Sequence, residues 1–134
     1  MKKFTLLFLA LITVIFGMAG CSSYASHYHA VGHVYSNDSD SAWISFIELE
    51  GTEVFKLKCQ SSETARIRYS GKLETGSLTV YTDCGGTKTE LFSLRSGDEI
   101  TASSEALPAD TVHVIIETGE KCLNGSVAFE IVSG

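Results

Sequence analysis

From Trp43 to the C-terminus, apolar and polar residues alternate with a period of two, interrupted at intervals of about ten residues by turn chemistry. Phe55, Leu57 and Cys59 fall on one face of their segment, and Val54, Lys56 and Lys58 on the other. Ala65, Ile67 and Tyr69 oppose Arg66 and Arg68; Leu78, Val80, Thr82 and Cys84 share a face; so do Val127, Phe129 and Ile131. No window shows the i, i+3, i+4, i+7 spacing of an amphipathic helix. Turns are marked by Gly51-Thr52, Cys84-Gly85-Gly86-Thr87, Ser96-Gly97-Asp98 and the Gly119–Asn124 segment. The only proline, Pro108, lies between strands, where a missing amide donor is harmless.

This pattern predicts an all-β fold: an antiparallel β-sandwich of seven or eight short strands, immunoglobulin-like or jelly-roll-like in architecture. A small β-barrel has the same pattern and is the alternative. The expected division is an N-terminal segment over 1–20, a tether over 21–41 rich in Ser, His, Tyr and Asp, and the β-domain over 42–134. Asn37-Asp38-Ser39-Asp40 reads as a turn. It begins like a calcium loop, but the glycine and the closing glutamate of such a loop are missing.

The first 20 residues follow a different rule. Lys2 and Lys3 precede Phe4–Phe16, apolar except for Thr5 and Thr13, and then Gly17-Met18-Ala19-Gly20-Cys21. These residues resemble a bacterial lipoprotein signal peptide, whose lipobox ends in a small residue before an obligatory Cys. Met18 departs from the commoner Leu. The resemblance covers about 21 residues and implies cleavage after Gly20 and acylation of Cys21, with palmitate-type chains holding the protein on the extracytoplasmic face of the membrane. Ser22 after the Cys lacks the Asp of inner-membrane retention, so in a Gram-negative cell the outer membrane is the expected location. An uncleaved span over Phe4–Gly20 and an ordinary secretory signal are the competing readings.

Removing the signal changes the charge. The full chain has 134 residues, 10 bases and 16 acids, net −6. The first 20 hold two of the bases and no acid, which leaves 114 residues (134 less 20) at net −8. An acidic module lacks the basic footprint of a nucleic-acid binder. Three thiols then remain. Cys59 reads as a buried thiol, and Cys84, beside the Gly85-Gly86 turn, and Cys122, within the expected Gly119–Asn124 hairpin loop, are the expected disulfide. Alternatives are three reduced thiols, or a Cys84 nucleophile served by His113.

Two clusters are candidate binding sites. His27, His29 and His33 read H-x-H-x3-H; on a strand His27 and His29 share a face about 7 Å apart, which suits Zn or Cu. His33 joins them only if Gly32 turns the chain, and a complete zinc site needs three or four ligands. Lys56, Lys58, Arg66 and Arg68 would form a basic patch for an anionic envelope polymer if their two strands pair as a hairpin. No G-x-S-x-G, H-E-x-x-H or Gly-rich phosphate loop is present, and no cofactor is called for, so no enzyme is expected. The expectation is a non-enzymatic binding or structural module of the cell envelope, its partners the membrane and an envelope polymer or protein. A metal-binding lipoprotein and an inhibitor or immunity lipoprotein are the alternatives.

Overall fold

The computed structural model describes residues 26–58, 65–107 and 111–133. The signal segment, Cys21, Cys59 and the Gln60–Glu63 loop lie outside the described residues. The described residues form seven strands: β1 (His27–Val31), β2 (Val34–Asn37), β3 (Ser41–Lys58), β4 (Ala65–Cys84), β5 (Thr87–Arg95), β6 (Glu99–Ser103) and β7 (Thr111–Ser133). They form one antiparallel sheet in the order β1-β3-β7-β4-β5, with β2 also on β3 and β6 also on β4. The expected all-β sandwich is the observed class; the sheet does not close into a barrel.

The strands are fewer and longer than expected. β3, β4 and β7 have 18, 20 and 23 residues, each joining two segments read from the sequence as separate strands. Straight, a 20-residue strand would span about 68 Å. These strands fold over instead. Tyr69 stacks on Phe92 with ring centroids 4.7 Å apart, although Phe92 pairs with Val80, eleven residues from Tyr69 along β4. On a straight strand those eleven residues would cover about 37 Å. The single sheet therefore bends into two layers whose inner faces meet. Phe55 on one layer approaches Phe129 on the other at 6.5 Å, and Phe92 approaches Phe129 at 6.2 Å.

Each bend also reverses the alternation. In β3 the buried positions are 42, 44 and 46, and then 49, 53, 55 and 57. In β4 they run 65 to 73 on odd numbers, then 76 to 82 on even ones. In β7 they pass from 112, 114 and 116 to 125, 127 and 129. A one-residue shift turns every later side chain to the other face, so without it one half of each strand would put its apolar set in water. The reversal falls between Phe46 and Leu49, between Leu73 and Gly76 and between Cys122 and Gly125, and the register breaks at Leu49/Thr52 and Thr75/Ser77/Leu78 lie directly beside it. Each long strand has one positive-φ residue there: Gly51, Gly76 and Asn124.

Two expected turns are thus bends within strands. Gly51-Thr52 lies inside β3, and Gly119–Asn124 inside β7. β7 is central, with β3 on one side and β4 on the other; Leu123 pairs with both Glu48 and Thr75. A hairpin there would forfeit both ladders. The Gly85-Gly86 hairpin and the Ser96-Gly97-Asp98 turn occur where expected. Both glycines of the hairpin have positive φ, and Asp98 Oδ2 accepts the Arg95 amide at 2.8 Å.

Residues 27–37, read as part of a tether, pair along β3 as β1 and β2. They help cover an edge. Beyond β1 the outer rim of β3 is met by polar groups: Ser26 Oγ accepts the Val54 amide at 2.9 Å, Asn37 Oδ1 accepts the Lys56 amide at 3.1 Å, and Asn37 Nδ2 donates to Lys56 O at 3.0 Å. Such caps prevent an open strand from recruiting another chain.

Candidate functional site

The outer face of the first layer is set by register. Paired residues point to the same side of a sheet, so the rows can be read directly. One row runs Ser36, Trp43, Ala128, Ser70, Thr101, across β2, β3, β7, β4 and β6. Beside it lie Ser45, Ser126, Lys72 and Glu99; on the other side lie Ser41, Glu130, Arg68 and Ser103. Ala42 and Ile44 are fully buried, so Trp43 between them must face outward; it keeps 40% of its surface exposed.

Small side chains next to a large one make a groove. Ala128 and Ser70 form a low floor, with hollows of about 390 and 470 Å³ on either side of it, and Trp43 lines both. From β3 to β6 the row spans three strand spacings, about 14 Å. One rim carries the Arg68–Glu130 ion pair at 2.8 Å; the other has Lys72 opposite Glu99 in register. The groove therefore offers an aromatic plate, a bed of hydroxyls and charged groups at both rims. Convergent polar groups around an apolar anchor are what a ligand site needs. An apolar stripe continues from Trp43 along β2 and β3 through Val34, Ile47 and Val31, all exposed.

The expected basic patch does not assemble. β3 and β4 are not neighbours, because β7 lies between them. Lys56 and Lys58 pair with His113 and Thr111 on the second layer, while Arg66 and Arg68 pair with Val132 and Glu130 on the first. Arg68 is held by Glu130, and Arg66 donates to Ser104 O at 3.2 Å. The two pairs of bases are therefore kept on separate layers.

The histidines also divide. His27 and His29 are exposed on one side of β1, whereas Tyr28 faces inward. His33 turns to the Tyr28 side: its Nε2 lies 3.3 Å from Tyr28 Oη, and its ring stacks on Tyr35 at 5.5 Å. Among the described residues no group of three His, Cys, Asp or Glu comes together to hold a metal ion.

No disulfide joins Cys84 and Cys122. Cys84 pairs with Val112, and Cys122 lies ten residues further along β7 beside Leu49. A disulfide needs Cα atoms within about 7 Å. Cys122 is buried, with Sγ donating to Ser77 O at 3.2 Å, and burial pushes its thiol up to about 11. It is a core residue, because the expected loop around it is a strand.

The alternation in the sequence marks Trp43 only as the start of the β-rich region. The signal was present in Trp43-Ile44-Ser45-Phe46, where Ser45 on the tryptophan's side marks that face as outward.

No protein-family model and no curated protein matches the chain. Among solved structures it is similar to a family 61 carbohydrate-binding module in complex with beta-1,4-galactotriose, at 8% identity and a TM-score of 0.45, covering 82% of this chain and 83% of that one. It is similar to a family 29 carbohydrate-binding module at 16% identity and a TM-score of 0.43, covering 81% and 79%. A family 4 module aligns at 14% identity and a TM-score of 0.42, covering 81% and 78%. These neighbours are β-sandwich carbohydrate-binding modules.

Proposed function

We propose that this chain is a lipid-anchored, non-enzymatic module of the bacterial cell envelope, and that its Trp43 groove takes a linear polysaccharide. The observation that carries the ligand is the exposed indole at the end of a hydroxyl-floored groove. An indole packs against the C–H face of a sugar ring, while Ser70, Ser126 and Thr101 exchange hydrogen bonds with ring hydroxyls. The groove length suits several sugar units in a row. The resemblance of Met18-Ala19-Gly20-Cys21 to a lipobox supports the anchor.

Affinity electrophoresis through gels of soluble polysaccharides, including fragments of envelope polymers, tests the ligand. Retardation is expected from at least one polymer, with a loss of about tenfold in Trp43→Ala and partial recovery in Trp43→Phe. Equal mobility of the parent and Trp43→Ala on every retarding polymer would refute the groove. Mass spectrometry of the N-terminus tests the anchor: an acylated Cys21 is expected, and an unmodified one refutes it. The exposed stripe of Val34, Ile47 and Val31 favours a second reading, a protein partner. Ile47→Ser would then abolish capture of that partner and leave polysaccharide retardation intact.

A further inference from the structure

A larger hollow lies elsewhere among the described residues. It holds about 580 Å³, within the range of small-molecule sites, and opens between the two layers where β5 and the end of β6 diverge. That edge is opposite β1 in the sheet order; Tyr69 and Ser103 border both this hollow and the Trp43 groove, while Trp43 itself lines only the groove. One wall comes from the first layer, with Tyr69 and the residues following β6; the other comes from the second, with Thr82, Cys84 and β5.

The lining has a definite chemistry. Thr82, Thr87, Thr89 and Ser103 place four hydroxyls around the space, and a fifth, that of Ser104, already accepts the Ile67 amide at 2.9 Å and donates to Glu105 O at 2.8 Å. A hydroxyl both donates and accepts, so such a lining matches a polyol and any one hydroxyl can serve either role. Tyr69, Leu91 and Leu107 supply the apolar side, and the Tyr69 ring is fixed by its stack on Phe92. Glu90 and Glu105 are the charged residues. Among the described residues that line the hollow, none is Lys, Arg or His.

We infer that this cleft takes a sugar unit, neutral or amine-bearing, and turns anionic sugars away. The volume admits a sugar ring with room to spare, the hydroxyls recognise its hydroxyls, and two carboxylates without a lining cation repel a carboxylate or phosphate while attracting an ammonium. The inference does not depend on the Trp43 groove.

The test is a titration of the isotope-labelled full chain in detergent micelles, followed by amide NMR, with D-glucose, D-glucosamine, D-glucuronate and glucose 6-phosphate as probes. Saturable shifts confined to Tyr69 and residues 82–91 and 103–107 are expected with glucose and glucosamine, and none with the two anions. The Thr89→Val/Ser103→Ala pair, both on exposed positions, is expected to weaken binding about tenfold. Glu90→Gln/Glu105→Gln is expected to remove the advantage of glucosamine over glucose. Trp43→Ala is expected to change nothing here, which keeps this outcome separate from the fate of the polysaccharide reading. No saturable shift with either glucose or glucosamine, equal binding of the anions, or loss of binding in Trp43→Ala would overturn the inference.

Discussion

Replacing Gly76 by Ala puts the bend of β4 to a direct test. Gly76 has φ +110, and a Cβ there would lie 2.4 Å from Lys121 O and 2.8 Å from Cys122 Cα. Both contacts are backbone atoms of β7, which cannot rotate away. Gly85 is the matched control: φ is +69, and nothing lies within 4 Å of its would-be Cβ. Gly85→Ala therefore carries only the left-handed conformational cost, about 1–2 kcal/mol. Gly76→Ala carries at least that, together with the forced separation of two central strands, for a total of about 3 kcal/mol or more. In a domain of this size the two melting temperatures should fall by about 6 °C and by about 12 °C or more respectively. Urea unfolding monitored by Trp43 fluorescence supplies the free energies, and unchanged slopes would show that the same transition is being compared. Equal losses at the two glycines would refute the close crossing of β4 and β7 at the bend. So would a Gly76→Ala protein as stable as the parent.

Two further outcomes follow from burial. Site-resolved alkylation at pH 8 should leave Cys122 unmodified in the folded protein and label it rapidly in urea, because burial raises its thiol to about 11 and cuts the thiolate about a hundredfold; labelling of folded Cys122 at its unfolded rate would contradict its place in the core. Burial, helped by the nearby Glu53 carboxylate, raises the Tyr28 phenol from 10.0 to about 12. The folded state thus holds this proton more tightly than the unfolded one. The resulting stability is complete below pH 10 and is lost as pH rises towards 12, so Tyr28→Phe should flatten that alkaline limb of a urea-midpoint profile, and an unaltered limb would refute the linkage.

The local rules were legible because they act between near neighbours in the chain. The alternation in Ala65–Tyr69 and in Leu78–Cys84 gives the correct buried face in each segment, since a strand has only two faces and the apolar one must go inward. Gly85-Gly86 specifies its hairpin because both residues need positive φ. Gly51 was misread for a related reason: one glycine relaxes the backbone, but whether the chain reverses or merely bends depends on what lies beside it. The same holds for Gly119–Asn124, where β3 and β4 on both sides keep the chain extended.

The candidate sites were less legible, because a site is made by strands that meet from distant parts of the chain. Lys56, Lys58, Arg66 and Arg68 are close in sequence yet lie on different layers, separated by β7. Trp43, Ala128, Ser70 and Thr101 are scattered through the sequence yet form one row. By itself the sequence determined the strand class, the inward face of each segment and the local turns, all set by backbone sterics and the cost of exposing apolar side chains. Only the tertiary structure decided that three strands bend over to make both layers from one sheet, that Cys122 is core and not half of a disulfide, and that small residues on three strands leave room beside an exposed tryptophan. Those outcomes depend on pairing between distant segments, and strand order is not written in the period of any one of them.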